Sequence, residues 1–134
     1  MARSLRKQVW ERARGRCEYC QLPQHLTTLP HEMDHIRARK HRGATSLSNT
    51  CVACASCNAS KGSNVAGYDP ATDALVALFH PRRDAWDDHF IWEGATLVGI
   101  SATGRATIDV LRINGVERVR FRDLLIIAGL FPPS

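Results

Sequence analysis

The sequence predicts an α+β protein, on three observations. Helix-like and strand-like segments are segregated along the chain instead of alternating as β–α–β units. Cysteines fall into two Cys-x2-Cys pairs, Cys17/Cys20 and Cys54/Cys57, a spacing suited to one tetrahedral zinc ion that staples a small core. A length of 134 residues allows one domain, or one small core with an extension, where a structural metal commonly supplements limited hydrophobic burial.

The elements follow in order. Residues 4–14 place Leu5, Val9, Trp10 and Ala13 at helical spacing opposite an Arg/Lys-rich face, and Gly15 ends the helix before Cys17. Cys17-Glu18-Tyr19-Cys20 reads as a zinc-knuckle turn. The stretch from Met33 to Ile36 reads as a strand, and 37–48 as a polar, basic loop. After Asn49, the segment through Cys54 and Asn58 to Lys61 reads as a turn entering a helix that Gly62 stops. Gly67-Tyr68-Asp69-Pro70 is turn chemistry. Residues 90–100 and 106–113, rich in Ile, Val, Leu and Thr and separated by Ser-Ala-Thr-Gly-Arg, read as a β-hairpin. Asn114 is expected to cap a final helix from about Val116 to Ala128, ended by Gly129 and Pro132-Pro133. The expected organisation is a core over residues 1–66 and a C-terminal α+β extension over 67–134 packed on it.

Charge is uneven. Residues 1–64 hold 11 Lys and Arg against 4 Asp and Glu, a balance of +7; residues 65–134 hold 7 against 9, a balance of −2. A positive half of this kind suits a polyanionic partner, because each phosphate contact releases counterions. Five cysteines are an odd number, the opening Met-Ala-Arg-Ser-Leu-Arg-Lys does not resemble a signal peptide, and no long apolar run suits a bilayer. The expectation is a soluble cytoplasmic protein without a membrane partner, whose cysteines bind metal rather than pair as disulfides.

The two cysteine pairs are separated by 33 residues, more than an ordinary zinc ribbon needs, so the insert is an element of its own. It carries Asp34-His35-Ile36 and Asn49, and Cys57 is followed at once by Asn58 and then Lys61. This interlocked order resembles the HNH endonucleases over roughly residues 17–64, with His35, Asn49 and Asn58 as the three letters. The resemblance implies a ββα-metal core stapled by structural Zn²⁺, with a C-terminal β-hairpin and helix beyond it. It also implies a divalent-metal-dependent endonuclease that hydrolyses DNA phosphodiester bonds and leaves 5′-phosphate and 3′-hydroxyl ends.

In that reading His35 is the general base, since an imidazole titrates near neutral pH. Asp34 and Asn58 offer hard oxygens to Mg²⁺ or Mn²⁺, leaving positions for water and phosphate. Asn49 orients His35 or braces the loop. Arg37, Arg39, Lys40, His41, Arg42 and Lys61 are candidates to grip phosphates. Asn58 stands where the family also uses His; Ala38 replaces a frequent Pro, and Arg42-Gly43 a frequent Gly-Gly, departures that bear on loop geometry. Neighbouring strand residues face opposite ways, so Asp34 and His35 share one site only if the strand twists or ends there.

Cys51 has no partner at ligand spacing, and the matching family position is usually aliphatic; it is expected to pack in the core, as are Phe90 and Trp92. His25 and His31 are expected to be incidental. Residues 80–90, with two histidines, three acids and two arginines around Trp86, are expected to join the C-terminal hairpin to the core rather than to form a second metal site or a lid. The rival to a nuclease is a non-catalytic zinc-ribbon module that binds nucleic acid. It explains the zinc and the charge but not Asp34-His35 and Asn58. RNA as partner and the oligomeric state stay open.

Overall fold

Local signals dictate the first elements. In the computed structural model, which describes residues 3–133, Ser4 caps helix α1 (Leu5–Ala13) by accepting from Lys7 N at 3.2 Å. The helix ends where Arg14 and Gly15 both turn left-handed. Val9 is its one fully buried side chain, and α1 lies against strand β2. Arg12 fastens it there, donating to the carbonyls of Leu47 (2.8 Å) and Thr50 (2.7 Å).

Strands β1 (Glu32–His35) and β2 (Thr50–Ala53) form an antiparallel hairpin in which Asp34 pairs with Cys51 and His35 with Thr50. Helix α2 (Ala55–Lys61) follows directly, so the unit runs β–β–α. Cys54 caps α2 through its sulfur, which accepts from Cys57 N at 3.4 Å, and Gly62 stops it. The hairpin's long connection carries two short 3₁₀ turns, at Arg39–His41 and Leu47–Asn49.

The second half begins with a small hairpin, β3 (Ala66–Tyr68) and β4 (Leu75–Ala77), around an Asp69 turn. Asp69 accepts a forked pair from Arg105 at 2.9 and 2.8 Å, and this holds its carboxyl below the usual carboxylate range. A second hairpin, β5 (Phe90–Glu93) and β6 (Thr96–Gly99), turns at Gly94-Ala95. Helices α3 (Ala102–Leu111) and α4 (Val116–Ile127) close the chain. The class is α+β. One apolar cluster draws on both halves: Tyr19, Ile36 and the cysteines meet Leu78, Phe79, Phe90, Leu97 and Leu111.

Two expectations are corrected. Residues 106–113 are not the second strand of a hairpin; residues 106–111 belong to α3, and the chain turns after it. Their β-branched composition favours a strand, but burial of Gly104, Thr107 and Leu111 recurs at helical spacing, and Ser101 caps the helix by accepting from Gly104 N at 2.9 Å. Asn114 does not cap α4. Its amide pairs with the backbone of Leu97, accepting from N at 2.9 Å and donating to O at 2.8 Å, and the helix starts from Gly115.

Helix α3 reaches the β5–β6 hairpin because glycines meet where the two elements touch. A methyl group on Gly104 would lie 2.1 Å from the His89 carbonyl oxygen, and one on Gly99 2.5 Å from Arg105 N. Backbone cannot yield as a side-chain tip can. Gly104→Ala should therefore destabilise the protein by at least about 1–3 kcal/mol, the range for overpacking. Thermal unfolding measures this, and a wild-type midpoint would contradict the close approach.

Candidate metal centre and active site

Two short turns gather four thiols. In the first, Gln21 N donates to Cys17 O (2.8 Å) and Cys17 N to Leu22 O (2.9 Å), with Gln21 left-handed. Cys20 N approaches Cys17 Sγ at 3.4 Å, as Cys57 N does Cys54 Sγ. The four sulfurs all lie within 4.8 Å of one another, and all four residues are buried. Burial pushes the Cys17 and Cys57 thiols up, whereas hydrogen bonds, foremost from Cys17, pull Cys20 and Cys54 down. Four buried sulfurs this close cannot all become thiolates without a cation among them, so the donor set fits Zn²⁺. Arg118 of α4 stands beside them, its Nη2 2.9 Å from Cys57 Sγ and 3.8 Å from Cys54 Sγ. Burial opposes its charge, but Cys57, Cys20 and Cys54 outweigh that and raise its pKa.

Asp34 points inward, 5% exposed. Its Oδ2 accepts from the Tyr19 hydroxyl at 2.9 Å, and Lys61 Nζ lies 3.2 Å away. Tyr19 sits between the two ligands of the first knuckle; burial, then the neighbouring Cys51 and Asp34, raise its pKa and keep it a neutral donor. Sequence reasoning missed Tyr19, although its place inside the knuckle was the available signal. Lys61 departs from expectation: it is 2% exposed and donates to the carbonyls of His35 (3.4 Å) and Ile36 (3.1 Å), so it cannot grip a phosphate on the surface.

His35 ends β1 and faces the other way, its Nε2 2.9 Å from Thr45 Oγ1. Asn49 touches the loop backbone: Oδ1 accepts from Arg37 N (2.9 Å), and Nδ2 donates to the carbonyls of Arg37 (3.0 Å) and Ala44 (2.8 Å). Arg42 adopts φ 67°, on the order of 1 kcal/mol uphill for a residue with a side chain. Gly43 must be glycine, since a methyl there would lie 1.7 Å from the Arg37 carbonyl oxygen. Asn58 Nδ2 donates to Glu32, a carboxylate that sequence reasoning did not single out. Arg37, Arg39, Lys40, His41 and Arg42 are all exposed.

The remaining candidates have structural partners. Burial, then Asp34, raises the Cys51 thiol, which lies 3.6 Å from both Tyr19 and Asp34. His31 is buried with Nε2 2.7 Å from the Leu22 carbonyl. The 80–90 segment meets the first knuckle through Trp86 Nε1, which donates to Tyr19 O at 2.9 Å, and an Arg82–Glu18 ion pair.

Zinc binding and folding are coupled at such a site. The purified protein should contain one zinc per chain by elemental analysis. Cys17→Ser or Cys57→Ser should be unfolded or insoluble, and Cys51→Ala should keep its zinc. A folded protein free of zinc would refute the assignment.

No helix among the described residues is long and apolar enough to cross a membrane. No curated protein and no solved structure matches the chain. A family model described as HNH endonuclease matches residues 17–64, an interval that opens on the first thiol and closes just beyond α2. The same interval holds the four cysteines, the β1–β2 hairpin and α2, so the similarity to the HNH endonuclease family falls on the thiol cluster and the β–β–α unit.

Proposed function

We propose that the protein is a divalent-metal-dependent endonuclease that hydrolyses DNA phosphodiester bonds, with His35 as general base. The observation that carries this reading is the placement of His35. Its ring lies at the end of β1, with Nε2 at a hydroxyl, beside an exposed basic loop and inside the segment that matches a nuclease family. Nε2 is engaged with Thr45 Oγ1, so a water must displace that hydroxyl before the ring can take the water's proton.

Asp34 and Asn58 would hold the cation. With Asn58 Nδ2 committed to Glu32, its Oδ1 is the atom left to offer a ligand, and a carboxylate with an amide oxygen is the hard donor chemistry Mg²⁺ takes. When bound, the cation neutralises charge developing on the phosphate and the leaving oxygen. Asn49 would keep the 37–44 loop closed so that Arg37, Arg39, Lys40, His41 and Arg42 face the backbone of the duplex.

Two observations favour the rival, a zinc-ribbon module that binds nucleic acid without cutting it. Asp34 and His35 face opposite sides of β1, so one phosphate meets both only if the strand end turns. Asp34 is also already compensated by Lys61 and Tyr19, so ion binding requires Lys61 to give way. Plasmid cleavage with Mg²⁺ or Mn²⁺ separates the two. His35→Ala should lose about 10²- to 10⁴-fold in rate with zinc, fold and DNA affinity intact. Asp34→Ala and Asn58→Ala should also need more Mg²⁺, with partial rescue by Mn²⁺ that does not extend to His35→Ala. Wild-type cutting by His35→Ala at saturating metal would end the HNH mechanism for this chain.

The binding surface has its own test. Neutralising Arg37, Arg39, Lys40 and Arg42 together should lower the slope of log affinity against log salt by about 0.9 for each phosphate that is no longer gripped. An unchanged slope would put the DNA on another face.

A further inference from the structure

The zinc reading leaves an electrostatic remainder. One Zn²⁺ held by four thiolates has a net charge of about −2, and all four ligands here are buried. Buried charge of that size needs a partner. The N-terminal half does not supply one from its knuckles, whose backbone N–H groups are neutral donors. Helix α4 supplies two guanidiniums one turn apart, Arg118 and Arg122.

Their settings differ. Arg122 is 3% exposed and committed to backbone: Nε donates to Ala95 O and Nη2 to Ile113 O, both at 2.8 Å, with the group 5.2 Å from the Trp92 ring. Arg118 divides its fork. Nη1 donates to the C-terminal carbonyls of α3, Leu111 O at 2.8 Å and Arg112 O at 3.2 Å. Nη2 is left to meet Cys57 Sγ at 2.9 Å and Cys54 Sγ at 3.8 Å. The carbonyls fix the plane of the guanidinium, so the approach to sulfur is directed and not a chance encounter of a flexible chain. A lysine offers the charge without that fork.

We propose that Arg118 is an outer-sphere partner of the zinc site, and that through it the C-terminal half governs how firmly the ion is held. An N–H donated to a thiolate draws off charge that would otherwise favour protonation, oxidation or transfer of the metal. Cys20 and Cys54, themselves buried, stand behind the wall of a cavity of about 330 Å³ that Leu29, Phe121 and Arg118 also line. The inference rests on the zinc reading and is independent of cleavage.

The test uses the full-length zinc-loaded protein, with Arg118→Met to remove charge at similar length and Arg118→Lys to keep charge without the fork. Zinc transfer to a colorimetric chelator gives release rate and affinity. Arg118→Met should hold zinc about 10- to 100-fold more weakly, as removal of such partners does elsewhere, and Arg118→Lys should fall between. In Co²⁺-substituted protein, the sulfur-to-metal charge-transfer band should shift in both variants, a change that poorer packing alone does not produce. If Arg118→Met fails to fold, Arg118→Lys still decides through release rate and spectrum. Wild-type release together with an unshifted cobalt band would overturn the proposal. A wild-type protein that takes up no zinc would overturn the zinc reading and this inference together.

Discussion

The structure depends on the closure of Cys17 and Cys20 onto Cys54 and Cys57. Those pairs are far apart in sequence, and bringing them within 4.8 Å commits everything between them to one compact loop. The consequences run through the two residues inside the first knuckle. Tyr19 is driven fully into the core, where its hydroxyl reaches Asp34 on β1. Glu18 accepts from Val52 N on β2 at 2.8 Å and pairs with Arg82 of the second half. One four-residue turn thus fixes both strands of the hairpin and the segment that joins the two halves. Without the closure, a buried phenol and a buried carboxylate would each be deprived of the partner that makes burial tolerable.

Strand β1 lies between two environments, and the alternation of a strand explains how. Asp34 faces the knuckle; its neighbour His35 faces the connecting loop. The strand ends at His35, and Lys61 ties that end to α2 by binding the Asp34 carboxylate together with the carbonyls of His35 and Ile36. Lys61 is therefore a brace as much as a counter-charge. On the loop side Asn49 performs the matching task, closing 37–44 onto its own base through three backbone hydrogen bonds. The position of the His35 ring follows from both braces, one on each side of the strand end.

Much of this is legible in the sequence, for identifiable reasons. The four cysteines are readable because ligand spacing is a local pattern. Helices α1 and α2 are readable from periodicity and from glycines that stop them. Residues 90–113 mislead as a single hairpin because β-branched composition outweighs a weaker helical burial pattern, which tertiary packing on Gly99 and Gly104 then selects. Asn114 misleads because a good capping side chain is in competition with a strand backbone, and the pairing with Leu97 wins. Lys61 looks by its type like a surface cation; nothing local signals that a buried carboxylate 27 residues away is waiting for it. Glu32 and Arg118 are invisible for the same reason, since their partners are set by the fold.

The charge asymmetry also changes meaning once partners are known. Of the arginines in residues 65–134, Arg82, Arg105, Arg118 and Arg122 are committed to Glu18, Asp69, the zinc-site thiols and backbone carbonyls respectively. They neutralise buried or half-buried groups and contribute little to the outer field. The acids of that half are largely exposed, including Asp87, Asp88, Glu93, Asp109 and Asp123. Its surface is therefore more acidic than a formal balance of −2 suggests. The opposite holds for 37–42, where four cationic side chains are exposed without an acid among them. The positive potential of the surface is therefore concentrated at the loop beside His35. The buried arginines of the C-terminal half turn inward instead, to the thiols and to backbone carbonyls.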